Sequence, residues 1–229
     1  MTDAPRITLY GPAQIPFTEK VRLALLYKGL DFDLTEPAGP EDYRRWNPET
    51  GLLPLLDRDG ERVHDSTRIL EWLDERYPNP PLLSSDPKLA EAQRRLEEWC
   101  DETFFFYWLR WQRVREAEES RPPRRFGLLA WARELAQGQG PSRPRRRDGL
   151  SVEVGELVDQ LARRCDDLVN MLAGRDFFYG DRPSMADLAV YAMLDSTRRG
   201  TYPRGPEIVA ARPELVALMD RVEKASEGA

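Results

Sequence analysis

Two short stretches hold residue types at a spacing that could do chemistry, and a third could line a substrate. The first is GPAQIPFTEKVRLAL, residues 11–25. A short strand over residues 6–10 feeds a turn, and Pro16 then opens a helical pattern. Such a junction aims free backbone N–H groups and the positive end of a helix dipole at one spot, which favours a thiolate or another small anion. Ile15, just before the proline, can neither donate a hydrogen bond nor act as a nucleophile. The second is Asp65-Ser66, at the start of another helical stretch. A serine there presents a hydroxyl and free N–H groups to an incoming carboxylate, and the same pair can equally serve as an ordinary N-cap. The third is WCDETFFFYWLRW, residues 99–111, which reads either as an apolar wall for a hydrophobic co-substrate or as core packing plus a dimer contact. Phe104, Trp108 and Trp111 share one side, with Tyr107 and Phe105 elsewhere.

The elements that must position these residues follow from periodicity. Residues 16–28 carry Val21, Ala24, Leu25 and Lys28 at helical spacing, and Gly29 is a natural C-terminal stop. DFDLT alternates as a second strand, and GPEDYRRW is a short helical or turn-like piece. LLPLLDRDGERVHDS reads as a hairpin, with a strand over 54–56, a turn through 57–60 and a return over 62–64. A helix from about Ser66 places Ile69, Leu70, Leu73 and Tyr77 on one face. The order β-α-β-(α)-β-β-α, with a right-handed crossover between the first two strands, predicts a mixed four-stranded sheet covered by helices.

YPNPPLLSSDPK, residues 77–88, has the proline and serine content of a linker. After it the pattern is helical, with no convincing strand: a long helix over 89–119, another over 126–137, and a break over 138–149 that is the expected mobile loop. Val158, Leu161, Cys165, Leu168 and Leu172 trace an amphipathic stripe. A near-continuous apolar helix follows in SMADLAVYAML, and residues 213–225 close the chain.

Composition narrows the chemistry further. The chain has 229 residues, 41% of them apolar, and six tryptophans, which suits folded cores rather than disorder. No apolar run approaches the roughly 18 residues of a membrane span, and the N-terminal sequence lacks a charged-then-apolar leader, so the cytoplasm is the expected compartment, without membrane contact. Cys100, Cys165 and His64 are the whole supply of soft ligands, with no CxxC; a disulfide framework, a metal site and a dithiol redox pair are not expected. A net charge of −6 speaks against nucleic acid as a partner. The basic runs at 121–125 and 143–147 are broken by proline and read as solvated loops.

Taken in order, four pieces resemble the glutathione transferase superfamily over nearly the whole chain: LYGPAQIPFTEKVRLALLYKGLDFDL, NPETGLLPLLDRDGERVHDSTRILEWLDERYP, the proline-rich linker, and FFYGDRPSMADLAVYAML. The resemblance implies a thioredoxin-like α/β N-terminal domain over residues 1–78, a linker over 79–88, and an all-α C-terminal domain over 89–229. It implies glutathione as co-substrate, a homodimer, and a small hydrophobic electrophile as second substrate. Carried over, Pro54 is the family's cis proline, which leaves the main chain of Leu53 open to the cysteinyl part of glutathione like an added strand; the plain alternative is a proline at a strand start. Asp65 and Ser66 take the γ-glutamyl end, the acid its ammonium and the serine its carboxylate. Ser184 to Asp187 looks like the helix-capping box of the second domain, with a folding role.

The departure from the pattern is Ile15, which stands where many relatives carry a serine or cysteine. A free thiol of pKa about 8.5 is mostly protonated at neutral pH, so a positioned donor is expected beside it. Gln14 and Thr18 are the first candidates and Tyr10 the next, with the backbone N–H groups of Phe17 and Thr18 as a further possibility. The leading expectation is therefore a glutathione-dependent transferase with weak activity toward generic aryl halides. The alternative is a non-catalytic member of the fold that binds a protein partner.

Overall fold

The computed structural model describes residues 6–119 and 152–227. The helix expected over 126–137, the loop over 138–149 and both basic runs lie outside the described residues.

The N-terminal half begins with β1 (Ile7–Tyr10), α1 (Pro16–Tyr27), β2 (Phe32–Thr35) and α2 (Pro40–Trp46). It continues with β3 (Leu55–Arg58), β4 (Glu61–His64) and α3 (Ser66–Arg76). The strands form one sheet in the order β2-β1-β3-β4. β1 runs parallel to β2 and antiparallel to β3, and β3 runs antiparallel to β4, the mixed sheet that the crossover predicts. Ile7 and Leu9 are buried, so alternation sends them into the core with α1 and α3. Tyr10 points to the other face and meets Trp46 of α2, ring centroids 4.8 Å apart.

Local sequence explains the joints. α1 stops because Gly29 adopts φ 64°, which lets Leu30 N–H reach Leu25 O at 3.0 Å and Gly29 N–H reach Leu26 O at 2.9 Å. The hairpin is tighter than the sequence reading. β3 extends to Arg58 and β4 starts at Glu61, so only Asp59 and Gly60 form the turn, both at positive φ (52° and 92°). An Asp-Gly pair supplies the backbone twist that a two-residue hairpin needs. Tyr77 lies one residue past α3 rather than on its face.

Beyond the sheet the described elements are all helical: α4 (Pro87–Glu119), α5 (Val152–Leu172), α6 (Met185–Arg198), α7 (Gly205–Ala210) and α8 (Pro213–Glu227). The stripe from Val158 to Leu172 is buried on α5, as its spacing predicts. The short α7 is absent from the sequence reading; six residues give too little periodicity to detect. Every residue from Met185 to Thr197 is buried, and α6 packs against both α4 and α1. Its capping box forms: Asp187 accepts from Ser184 N–H at 2.9 Å and also holds Phe178 N–H at 2.9 Å. Tyr107 joins Phe104 in the core, contrary to the sequence reading, because residues three apart on a helix share a face. Phe105 and Phe106 are exposed. Lys28 ties the segment after α3 to the sheet domain through Asp74 (2.9 Å), Tyr77 O (2.6 Å) and Pro80 O (2.8 Å).

Candidate active site

Strand register brings the singled-out residues to one end of the sheet. Tyr10 pairs with Leu55, and Leu55 pairs with His64. That row places the end of β1, the start of β3 and the end of β4 side by side. Beyond it lie the turn into α1, the Leu53-Pro54 peptide and the Asp65-Ser66 entry to α3.

The Leu53-Pro54 bond is cis. Leu53 falls just outside β3, and its main chain makes no hydrogen bond among the described residues. Its N–H and C=O are thus open to an extended peptide laid beside them. The loop that delivers it is braced by Asn47, whose amide nitrogen donates to Leu52 O at 2.9 Å and to Thr50 Oγ1 at 2.7 Å.

Asp65 is the N-cap of α3; its carboxylate accepts the Arg68 N–H at 3.1 Å. It does so at φ 74°, a left-handed conformation costly for a residue with a Cβ and concentrated at functional sites. Ser66 is 5% exposed, and its hydroxyl takes no partner among the described residues. The N–H groups of Ser66 and Thr67 are likewise unused, because Ile69 N–H is the first to reach back to Asp65 O. The acid caps, while the serine hydroxyl and the first two N–H groups take no partner among the described residues.

At α1 the N-cap is Ile15, 36% exposed, with extended backbone and no side-chain cap. Its carbonyl accepts the N–H groups of Thr18 and Glu19, both at 3.0 Å. Of the two backbone donors expected from the sequence, Thr18 N–H is therefore taken and Phe17 N–H is open among the described residues. The three side-chain candidates lie apart. Gln14 is exposed at the turn. Thr18 is 0% exposed, and its hydroxyl is buried without a hydrogen-bond partner. Tyr10 stacks toward α2.

Behind the two helix starts lies a charge network that the sequence reading missed. Lys20, one turn into α1 and 1% exposed, donates to Glu97 Oε1 at 2.5 Å and to Asp101 Oδ2 at 2.6 Å, both on α4. Glu97 Oε1 also accepts the Thr67 hydroxyl at 2.7 Å. Burial would lower the Lys20 pKa, but the charges of Asp101 and Glu97 outweigh it and hold it above its ordinary value. One ammonium facing two carboxylates leaves surplus negative charge, and burial pushes the Asp101 carboxyl up to about 6 against the pull of Lys20. The available signals were a lysine on the apolar face of α1 and an i, i+4 acid pair on α4. Among the described residues, no group of three or more His, Cys, Asp or Glu could hold a metal ion, and no helix is long and apolar enough to cross a membrane.

Comparison with known proteins places the chain in a family. The family description "Glutathione S-transferase, N-terminal domain" matches residues 9–81, and "Glutathione S-transferase, C-terminal domain" matches residues 156–227. A maleylacetoacetate isomerase of Rhizobium meliloti is 30% identical over 222 residues, covering 94% of this chain and 90% of that protein. A maleylacetoacetate isomerase of Pseudomonas aeruginosa is 44% identical over 85 residues, 33% of this chain and 39% of that protein. The crystal structure of a glutathione S-transferase of Methylobacterium radiotolerans, in complex with glutathione sulfonate, is 30% identical with a TM-score of 0.65; the match covers 97% of this chain and 92% of that one. With both halves matched and a relative aligned over nearly its full length, the chain belongs to the glutathione S-transferase family.

Proposed function

We propose that the protein is a glutathione-dependent transferase in which residues 1–78 bind glutathione, residues 79–88 link, and residues 89–229 complete the site for the second substrate. The observation that carries this reading is the convergence of an unpaired main chain at Leu53, beside the cis peptide, with the unpaired Ser66 hydroxyl at one end of the sheet. Glutathione lies extended along Leu53 and Pro54. Its γ-glutamyl carboxylate meets Ser66 and the first N–H groups of α3, and its ammonium meets Asp65. The sulfur lies at the start of α1, where the Phe17 N–H and the helix dipole favour the thiolate.

The thiolate attacks a small hydrophobic electrophile. With a leaving group present, a carbon–sulfur bond forms and the leaving group departs with its electron pair. With an activated double bond, the thiolate adds, the bond rotates, and the thiolate leaves again with its electrons, so that glutathione is regenerated. The relatives named maleylacetoacetate isomerase support the second course. The working form is a cytoplasmic homodimer, as the family resemblance implies.

Titration calorimetry with glutathione tests the reading. Binding by the wild type, weakened in Ser66→Ala, is the expected result. No detectable heat of binding by the wild type overturns it. One observation favours a second reading: an exposed Ile15 in place of a donor suits a non-catalytic scaffold that binds a protein partner. Glutathione binding without turnover of any electrophile would select it.

A further inference from the structure

The buried network behind the site joins three helices through a single carboxylate oxygen. Glu97 Oε1 on α4 accepts the Thr67 hydroxyl, from the first turn of α3, at 2.7 Å and the Lys20 ammonium, from the second turn of α1, at 2.5 Å. Lys20 and Glu97 are each 1% exposed at their side chains. A buried ion pair is a poor source of stability, because the desolvation of both charges offsets their attraction; apolar side chains of similar volume often do as well. Its specific consequence here is geometric. α1 and α3 are the two helices whose N-termini carry open N–H groups at the same end of the sheet. Glu97 fixes the first turn of α3 and the second turn of α1 from α4, an element outside the sheet domain.

We infer that Glu97 and Thr67, with Lys20, are positioning residues for glutathione: they set the first turn of α3 relative to α1, and so the spacing between the γ-glutamyl subsite and the sulfur subsite. This rests on the proposed function. A tripeptide held at its γ-glutamyl end and at its cysteinyl sulfur binds more tightly when those two anchors are pre-set at the right separation. Thr67 contributes through its hydroxyl alone, since Lys20 keeps both carboxylates when that hydroxyl is removed. The loss of Thr67 therefore loosens the γ-glutamyl end without leaving a charge unpaired.

Glutathione affinity, measured by calorimetry on the full chain with thermal unfolding alongside, tests this in four proteins: wild type, Thr67→Val, Thr67→Ala and Thr67→Ser. Thr67→Val and Thr67→Ala each weaken glutathione about tenfold, the scale of one hydrogen bond to a charged group, and Thr67→Ser restores affinity to within about twofold. Should the valine variant fail to fold, the alanine variant gives the same reading. If wild type binds and the two hydroxyl-free variants bind equally well, the inference is overturned while the proposed function stands. A loss that Thr67→Ser does not restore also overturns it, because packing rather than the hydroxyl would then be responsible. No glutathione binding by the wild type overturns both.

Discussion

Gly11 and Thr18 compete for the same space: a Cβ on Gly11 would lie 2.4 Å from Thr18 Oγ1. The turn from β1 into α1 closes this tightly only because residue 11 lacks a side chain. The Thr18 hydroxyl, wedged beside it, is buried and unpartnered, so it is poorly placed to reach a ligand sulfur. Gly11→Ala should destabilise the protein by about 1–3 kcal/mol through overpacking. The double variant Gly11→Ala/Thr18→Ala should recover part of that loss, which urea unfolding of the three proteins measures. Thr18→Val should leave glutathione affinity and bound-thiol ionisation unchanged, because replacing an unpaired buried hydroxyl with a methyl is close to neutral. A fall in thiolate absorbance of bound glutathione in Thr18→Val would instead make Thr18 the donor.

Substitutions at Asp65 and Ser66 should separate binding from stability. Asp65 adopts φ 74° and caps α3. In Asp65→Gly the backbone strain is relieved while the cap loses only a few tenths of a kcal/mol, so the unfolding midpoint should hold or rise. Glutathione affinity should nevertheless drop about tenfold, since the carboxylate proposed to meet its ammonium is gone. Ser66→Ala should reduce affinity roughly tenfold to a hundredfold with little change in stability, because the hydroxyl makes no bond among the described residues. Equal affinity of Ser66→Ala and wild type would remove the γ-glutamyl carboxylate from this end of α3.

Much of this was legible in the chain for physical reasons. The order of elements along the N-terminal half, the Gly29 stop and the Asp187 cap are local: each depends on periodicity or on residues within a turn of one another. Leu53, Pro54, Asp65 and Ser66 stand out through motif resemblance, and strand register brings them to the same end of the sheet. The hidden part is long-range. Lys20 and Glu97 are 77 residues apart, and only the packing of α1 on α4 brings them together. The pairing of Thr18 N–H with Ile15 O is local as well, since an N-cap carbonyl ordinarily accepts the first helical bonds.

The same network gives a pH dependence. Asp101 stands at about 6, against an ordinary 3.8, chiefly through burial. Between those values the folded protein holds a proton that the unfolded chain releases. Stability contributed by this group is therefore greatest at low pH and declines as pH rises toward about 6, above which it levels off. Asp101→Asn cannot titrate, so the difference in urea midpoint between wild type and variant should change across about pH 4 to 6 and be constant above about pH 7. A constant difference across the whole range would mean that Asp101 ionises normally in the folded state.

The isoleucine at the start of α1 offers the sharpest test of how the sulfur is activated. Ile15 already has the extended backbone of an N-cap, φ −92° and ψ 131°, but its side chain makes no capping bond. A serine there needs no backbone change. Its oxygen can accept an open N–H of the first turn, worth about 0.5–2 kcal/mol of stability, and its O–H can donate to a thiolate at the same position. Ile15→Ser should thus raise both the unfolding midpoint and the rate of glutathione conjugation to an aryl halide, the latter at least about tenfold, while Ile15→Val changes neither much. The wild type should conjugate such halides weakly. If it instead matches serine-type relatives and Ile15→Ser adds nothing, the Phe17 N–H and the helix dipole already suffice, and the side chain at residue 15 is free to shape the pocket for the second substrate.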